Sequence, residues 1–213
     1  MSTSDSQAGA TTTFDWAINF IWAPDRDGHR NDRAPGESFA TAWGVTQMTW
    51  DDAVAAGIVS GSLADATRAQ CKAIYRANYW DPLHCDSLNP GVAFVLFNDA
   101  TLSGVDAAAK LLQRVVGATE DGVIGPQTLR LANAMPPSSV IDGLTTADEK
   151  FLASLRNAPM FIRGWDRREI ACQTAALALN AQFREGQAAF PPARVPQPVR
   201  TNLSTLRSCV SPA

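Results

Sequence analysis

Four carboxylate side chains lie close together near the start of this 213-residue chain, in a segment rich in Asp, Arg, Gly and Pro; they are Asp25, Asp27, Asp32 and Glu37. Two carboxyl groups that face each other can protonate a leaving oxygen and activate a water molecule, which is the chemistry that cleaves a glycosidic bond. A plainer interpretation is that these charges solvate a surface loop. Because a long loop inside a compact domain is more often functional than idle, we treat the segment as a candidate site.

A helix is predicted immediately before this segment. Apolar residues recur there at helical spacing, at Phe14, Ala17, Ile18 and Ile21. Asp15 stands where a first turn favours a carboxylate, and Pro24 is expected to end the helix. A helix end followed by a hairpin or loop can hold one acid on rigid backbone and bring a second one across from the loop.

The rest of the chain predicts more helices and few strands. Helices are expected over residues 43–58, with Thr49 as N-cap, and over residues 65–79, 92–102, 107–116, 147–157 and 163–181. The segment 92–102 is apolar almost all round, which predicts a helix at the centre of the core. We therefore expect a mainly α protein.

Several short motifs carry a resemblance to a known family. Ala-Thr-Ala-Trp-Gly-Val-Thr spans residues 40–46, Tyr-Trp-Asp-Pro spans 79–82, Asp-Gly-Val-Ile-Gly-Pro spans 121–126 and Arg-Gly-Trp-Asp-Arg-Arg spans 163–168. In this order they resemble glycoside hydrolase family 108, the phage and bacterial N-acetylmuramidases. The resemblance implies a lysozyme-like helical fold with a small hairpin or an irregular active-site loop.

The resemblance also implies an organisation of the chain. We expect a lysozyme-like catalytic part over residues 14–102 and a helical peptidoglycan-binding part over residues 103–184. Residues 1–13 are interpreted as a disordered lead-in, and the Pro-rich residues 185–213 as an extended tail. In the Asp-Gly-Val-Ile-Gly-Pro motif, Gly122 and Gly125 permit positive φ angles in a tight turn, and Pro126 is expected to begin the next helix.

The catalytic acid departs from the family pattern. The family places a glutamate, in Glu-Gly-Gly-Tyr, where its first helix ends; counting back from Thr41 gives Asp27 at that place, and counting forward from Phe14 gives Asp25. Three alternatives remain open: Asp27 replaces the glutamate, Glu37 is a relocated acid, or the protein binds peptidoglycan without cleaving it. We favour Glu37 and Asp27 as the pair, with Glu37 as the proton donor because it keeps the full side-chain length.

Other site residues follow from the same resemblance. The hydroxyl of Thr41 can position a water molecule, or it can simply bond the backbone of a turn. Aromatic rings can stack on sugar faces and a carboxylate can bond sugar hydroxyls, which makes substrate-binding candidates of Trp43, Tyr79, Trp80 and Asp81. Equally, the aromatic residues can belong to the core.

The sequence favours no cofactor and no metal site. His29 and His84 are the only histidines, and neither has further metal-type ligands at a matching spacing, which disfavours a zinc peptidase. The four cysteines, Cys71, Cys85, Cys172 and Cys209, match no zinc pattern and are expected to be free thiols. A hydrolase that cuts the peptide crosslinks is a weaker alternative, because no Cys/His pair is apparent.

The distribution of charge along the chain indicates which partners and which cellular compartment to expect. The net charge is −3, but residues 150–213 hold nine basic and only three acidic residues. Such a region can hold an anionic polymer such as peptidoglycan, with Arg163, Arg167 and Arg168 as candidates, whereas it lacks the aromatic-interleaved basic helix that favours nucleic acid. We expect a monomer that has no signal peptide and no membrane insertion, is made in the bacterial cytoplasm and acts on peptidoglycan strands in the periplasm.

Overall fold

The described part of the protein is helical apart from one short hairpin. The structure, a computed structural model, describes residues 12–22, 41–154 and 158–184, with side chains for 12–22, 41–151 and 168–183. In chain order its helices and strands are α1 (Thr13–Ile21), β1 (Thr41–Ala42), β2 (Val45–Thr46), α2 (Gln47–Ala55), α3 (Arg68–Tyr75), α4 (Pro90–Ser103), α5 (Val105–Val116), α6 (Pro126–Ala134), α7 (Pro137–Ser154) and α8 (Ala158–Arg184). The mainly α, lysozyme-like fold is confirmed.

Helix α4 is the centre of the core, as its apolar sequence predicts. Asn89 caps it, Pro90 occupies its first turn, and every residue from 90 to 100 is buried. It contacts α1 as well as α5, α7 and α8. The contact with α8 is close, because a Cβ atom on Gly91 would lie 2.6 Å from the carbonyl oxygen of Ala176.

Helix α1 forms where the sequence predicts it, and its predicted apolar stripe is buried. Thr12 and Asp15 form a capping box, in which each side chain bonds the other residue's backbone N–H. Asp15 also pairs with Lys72 of α3. The helix ends at Ile21 with Trp22 as C-cap, and Pro24 lies outside the described residues.

Several predicted helix boundaries are wrong. Helix α2 is capped by Thr46 and not by Thr49, whose own N–H donates to the Thr46 hydroxyl over 3.3 Å. Helix α3 begins at Arg68, after the capping residue Thr67, and continues into a π-helical turn, Arg76–Trp80. Helices α7 and α8 begin earlier than expected, at Pro137 and Ala158, because Pro137 and Pro159 lie in the first turns, where a helix tolerates proline.

The loop between α5 and α6 is built around a buried glutamine that the sequence analysis did not identify. Gln113 is 1% exposed; its Nε2 donates to Asp121 Oδ1 (2.6 Å) and to the Val123 carbonyl (3.0 Å), and its Oε1 accepts from the Gly122 N–H (2.9 Å). Gly122 has φ +79°, as predicted. Gly125 does not adopt a positive φ: it is extended, with φ −98°, and caps α6, which Pro126 begins as predicted.

The described core is continuous across residue 102. Buried apolar residues of α1 and α4 belong to the same cluster as those of α5, α7 and α8. The division into a catalytic part and a binding part therefore stays a prediction. Cys71 and Cys85 are buried free thiols, Cys172 is also buried, and Cys209 lies outside the described residues. Within the described ranges, no helix combines the length and hydropathy that a membrane span requires.

Candidate functional site

A tight hairpin follows the carboxylate-rich segment. Its strands pair antiparallel, Thr41 opposite Thr46 and Ala42 opposite Val45. The two turn residues, Trp43 and Gly44, have φ of +53° and +77°, which is the pattern of a type I′ turn. A non-glycine residue with this backbone is uncommon, so Trp43 must be held by contacts elsewhere.

Those contacts are hydrogen bonds to the Trp43 carbonyl. Trp22 Nε1–H donates to it over 3.1 Å, and the Tyr75 hydroxyl donates to it over 3.2 Å. The end of α1 is thereby joined to the tip of the hairpin. Asp27 and Glu37 lie outside the described residues, but Trp22 and Thr41, on either side of that stretch, belong to elements that are bonded to each other.

Four aromatic rings form a continuous line from the hairpin towards the π-helical turn, and we call them the aromatic row. The centroids of Trp43 and Trp22 are 5.1 Å apart, those of Trp22 and Tyr75 are 5.6 Å apart, and those of Tyr75 and Tyr79 are 5.5 Å apart. Trp22 is buried, whereas the other three are half-buried. Partly open rings of this kind can contact the apolar face of a sugar.

A cation lies beside the row. The guanidinium carbon of Arg68 lies 5.3 Å from the Trp22 ring centroid and 5.4 Å from that of Trp43, in the range of cation–π attraction. Its Nη2 also bonds Asn19 of α1. A cavity of about 420 Å³ opens at this place, lined in part by Trp22, Arg68 and Lys72.

The three residues of the Tyr-Trp-Asp run, which were predicted to bind substrate, lie in three different environments. Tyr79 is half-buried, and burial raises the pKa of its hydroxyl, which therefore stays protonated at neutral pH. Trp80 is 0% exposed and packs on Phe14 and Phe97, so neither face of its ring is open to a sugar in this structure. Asp81 is exposed, with Oδ1 3.2 Å from Arg76 Nε.

The indole of Trp80 also has a hydrogen-bond partner. Its Nε1–H donates to Asp86 Oδ1 over 2.8 Å, and Arg76 pairs with the other oxygen of Asp86. Arg76 therefore pairs with both Asp81 and Asp86, the two carboxylates that follow the π-helical turn. The local role of Trp80 is to anchor the π-helical turn that carries Tyr79. Thr41 is half-buried in β1, and its proposed role with water stays a prediction.

Arg168 and the described cysteines make contacts inside the fold. Arg168 is half-buried and donates to Asn98 Oδ1 and to Thr101 Oγ1, each over 2.8 Å, so it braces α4. The side chains of Arg163 and Arg167 lie outside the described residues. Burial raises the pKa of Cys71 to about 11 and that of Cys85 well above its usual value, which makes both poor nucleophiles and disfavours a cysteine peptidase.

Sequence reasoning missed Trp22, Tyr75 and Arg68. Tyr75 and Tyr79 are separated by one helical turn, and Arg68 by two turns from Tyr75, so one face of α3 carries this signal. Trp22 gives no such signal, because its partners are more than twenty residues away. Within the described residues, metal-type ligands gather in the core instead, at Asp99, Asp148 and Glu169.

A mainly helical, lysozyme-like fold, together with a carboxylate-rich sequence between a helix end and a hairpin, points to the glycoside hydrolases. Comparison with known proteins agrees with this class. The family model described as Glycosyl hydrolase 108 matches residues 25–104. A solved structure titled "Structure of Brucella abortus SagA" is 30% identical with a TM-score of 0.68, and the match covers 79% of this chain and 95% of that chain.

The chain belongs to glycoside hydrolase family 108. The family places it among the hydrolases that act on peptidoglycan. Comparison with curated proteins gives no match.

Proposed function

We propose that this protein cleaves the glycan strand of peptidoglycan as a lysozyme-type N-acetylmuramidase. The observation that supports this most is the double hydrogen bond to the Trp43 carbonyl, which joins the end of α1 to the hairpin. The carboxylate-rich stretch runs between these two joined elements. A carboxyl side chain from that stretch would act beside the aromatic row.

Glu37 is proposed as the proton donor and Asp27 as the second carboxylate. Glu37 has the full glutamate length and stands four residues before Thr41, which is in β1. Asp27 is one methylene shorter, and a displacement of about 1 Å can cost about a hundredfold in rate. Thr41 is proposed to position the water molecule.

The substrate-binding residues of the proposal are Trp43, Tyr79 and Asp81. Trp43 and Tyr79 are the two end rings of the aromatic row, and each is half-buried, so that part of each ring is open to a sugar. The exposed carboxylate of Asp81 can accept hydrogen bonds from sugar hydroxyls. Trp80, buried behind Tyr79, is proposed to act by positioning that ring.

Product analysis tests the reaction. Purified peptidoglycan incubated with the protein should lose turbidity, and mass spectrometry of the reduced products should find N-acetylmuramic acid at the new reducing ends. New N-acetylglucosamine reducing ends would contradict muramidase specificity. Released peptides with intact glycan strands would indicate the crosslink-cleaving alternative.

A peptidoglycan-binding protein without activity is the second candidate, favoured by the absence of the family's Glu-Gly-Gly-Tyr motif at the end of the first helix. The same incubation separates the two candidates. Co-sedimentation with insoluble peptidoglycan and no new reducing ends would support the binding protein alone.

We extend the proposal to a phage endolysin that is made in the bacterial cytoplasm and reaches the periplasm with the help of a membrane-permeabilising partner. The first part of the chain is acidic and residues 150–213 are basic. This charge asymmetry suits a soluble enzyme that adheres to an anionic polymer. Expressed in bacteria, the protein should lyse cells only when a holin is co-expressed. Lysis without a holin would contradict this route.

A further inference from the structure

Three acidic side chains meet inside the helical core, away from the aromatic row. Asp99 of α4, Asp148 of α7 and Glu169 of α8 each offer a carboxylate oxygen, and these oxygens all lie within 4.8 Å of one another. None of the three residues is more than 1% exposed. Because carboxylates are almost never buried in this way without compensation, the cluster requires a partner.

The protein itself supplies little of that compensation. Asn98 Nδ2 donates to Glu169 Oε1 over 2.9 Å. Both oxygens of Asp99, both oxygens of Asp148 and Oε2 of Glu169 have no hydrogen-bond partner among the described residues. Five buried carboxylate oxygens without a hydrogen-bond partner are a separate observation from the presence of three acids, since buried polar atoms in native proteins are almost always bonded.

The nearest described cation does not pair with the cluster. Arg168 directs its Nε to Asn98 Oδ1 and its Nη2 to Thr101 Oγ1, and it forms no ion pair with the three carboxylates. With all three acids ionised, the group of Asp99, Asp148, Glu169 and Arg168 would carry two net negative charges. A divalent cation would balance that charge.

The pKa values indicate the same deficit. Burial, followed by the charge of Asp148, raises the pKa of Glu169 to about 7, and burial raises the pKa of Asp148 to about 6 although Ser103 and Arg168 lower it. Burial and the charges of Glu169 and Asp148 hold the pKa of Asp99 well above its usual range.

We propose that Asp99, Asp148 and Glu169 bind one divalent cation, with Ca²⁺ as the best match in size. Carboxylate oxygens suit this ion at about 2.3–2.6 Å, so oxygens on opposite sides of it are separated by about 4.6–5.2 Å, against about 4.0–4.2 Å for Mg²⁺. All three offered oxygens lie within 4.8 Å of one another, which is inside the separation that ligands of one Ca²⁺ ion can have. The ion would join α4, α7 and α8, whereas the sequence favours no metal site.

Metal content and thermal stability after refolding test the site. Because the carboxylates are fully buried, the full-length protein is unfolded in guanidinium chloride with EDTA and then refolded with Ca²⁺, with Mg²⁺ or with EDTA. We expect one Ca²⁺ per chain by mass spectrometry after gel filtration. At a Ca²⁺ concentration about 100 times the Kd, the folded-to-unfolded ratio should rise about a hundredfold, a Tm increase of roughly 5–10 °C.

The matched variants are Asp148→Asn in the cluster and Asp142→Asn on the exposed face of the same helix. Asp142→Asn should bind Ca²⁺ as the wild type does, and Asp148→Asn should lose both the ion and the Tm response. If Asp148→Asn does not fold, Asp99→Asn serves in its place. If neither variant folds, the metal content of the wild type decides.

Two results would overturn the proposal. A refolded wild type with no bound metal and equal Tm in Ca²⁺ and EDTA would mean that protons compensate the cluster, and Asp148→Asn should then be more stable than the wild type. Equal Ca²⁺ binding by Asp148→Asn would place the ion elsewhere. A clear preference for Mg²⁺ would overturn the choice of Ca²⁺.

Discussion

At the residue scale, the candidate site depends on a few polar atoms rather than on the aromatic area alone. The Trp43 carbonyl accepts from Trp22 and from Tyr75, and these bonds hold the hairpin tip in its positive-φ turn. The proposed acids, Glu37 and Asp27, lie outside the described residues. Substitution of each acid therefore tests its role.

We expect Glu37→Gln and Asp27→Asn each to lower the rate of peptidoglycan cleavage, by about 10²–10⁴-fold for the proton donor. The Tm of each variant should stay within a few degrees of the wild type, as surface changes usually do. Asp52→Asn, an exposed carboxylate on α2, is the control and should keep full activity. Wild-type cleavage rates in both variants would exclude this assignment.

A second pair of variants distinguishes the donor from its partner. If Glu37 is the donor, Glu37→Asp should lose most activity, because the shortened side chain no longer reaches the glycosidic oxygen, and Asp27→Glu should bring no gain. Rates and activity–pH profiles measure this. Activity kept by Glu37→Asp together with a gain in Asp27→Glu would make Asp27 the donor.

Trp22→Phe should lower activity more than its effect on stability explains. It removes the donor to the Trp43 carbonyl but keeps a buried ring, and the lost bond should cost about 1 kcal/mol of unfolding free energy. Trp50→Phe is the matched control, because Trp50 is also buried and its Nε1–H donates to the Gly61 carbonyl over 3.1 Å. Equal kcat/KM in the two variants would show that the row does not position substrate.

At the scale of the elements, α1 ends with Trp22 as its C-cap, and Trp22 bonds the hairpin of the proposed site. The contribution of Asp15, in the first turn of α1, to the stability of the fold should depend on pH. Partial burial raises the pKa of Asp15, but hydrogen bonds from Lys72 and Thr12 outweigh this and hold the pKa below its usual value of 3.8. The carboxylate therefore stabilises the fold above the unfolded-state pKa. That contribution is lost as the pH falls through the lower, folded-state pKa.

We expect Asp15→Asn to be less stable than the wild type at pH 7, and the difference to shrink below about pH 4. The side chain is 28% exposed, so the effect should stay within about 1 kcal/mol. Denaturant melts of both proteins across pH 2–7 measure it, with Asp52→Asn as the control. A stability difference that does not change with pH would mean that the hydrogen bonds of the capping side chain, and not its charge, stabilise the helix.

At the scale of the whole molecule, the described halves of the chain share one core through α4. Its apolar residues contact α1 on one side, and Gly91 allows the close approach of α8. The predicted boundary between residues 102 and 103 therefore falls inside this core. The two parts should unfold together.

Gly91→Ala tests this coupling. Its new Cβ atom would meet the Ala176 carbonyl at 2.6 Å, and overpacking of this kind costs about 1–3 kcal/mol, or roughly 2–10 °C in Tm. Gly125→Ala has open space and a negative φ, so it should leave Tm nearly unchanged. Calorimetry should record one transition in all three proteins, and two separate transitions would support independent domains.

Local features of this protein were readable from the sequence alone. Apolar spacing predicted α1 and α4, an all-apolar run predicted that α4 is central, and Pro126 marked the start of α6. These features depend on residues within a few turns of one another. The boundaries that failed, at Thr46 and Arg68, depend on which of several nearby polar residues caps a helix, a choice that neighbouring packing decides.

The tertiary structure alone decided how distant residues meet. Trp22 reaches Trp43 and Tyr75, Trp80 turns into the core instead of towards a sugar, and Asp99 meets two acids from α7 and α8. No spacing encodes these contacts, because each depends on how whole helices pack after the chain has folded back on itself. Even so, Asp99 in an otherwise apolar helix was a visible sign of a buried charge, since burying a carboxylate requires a partner from elsewhere in the fold.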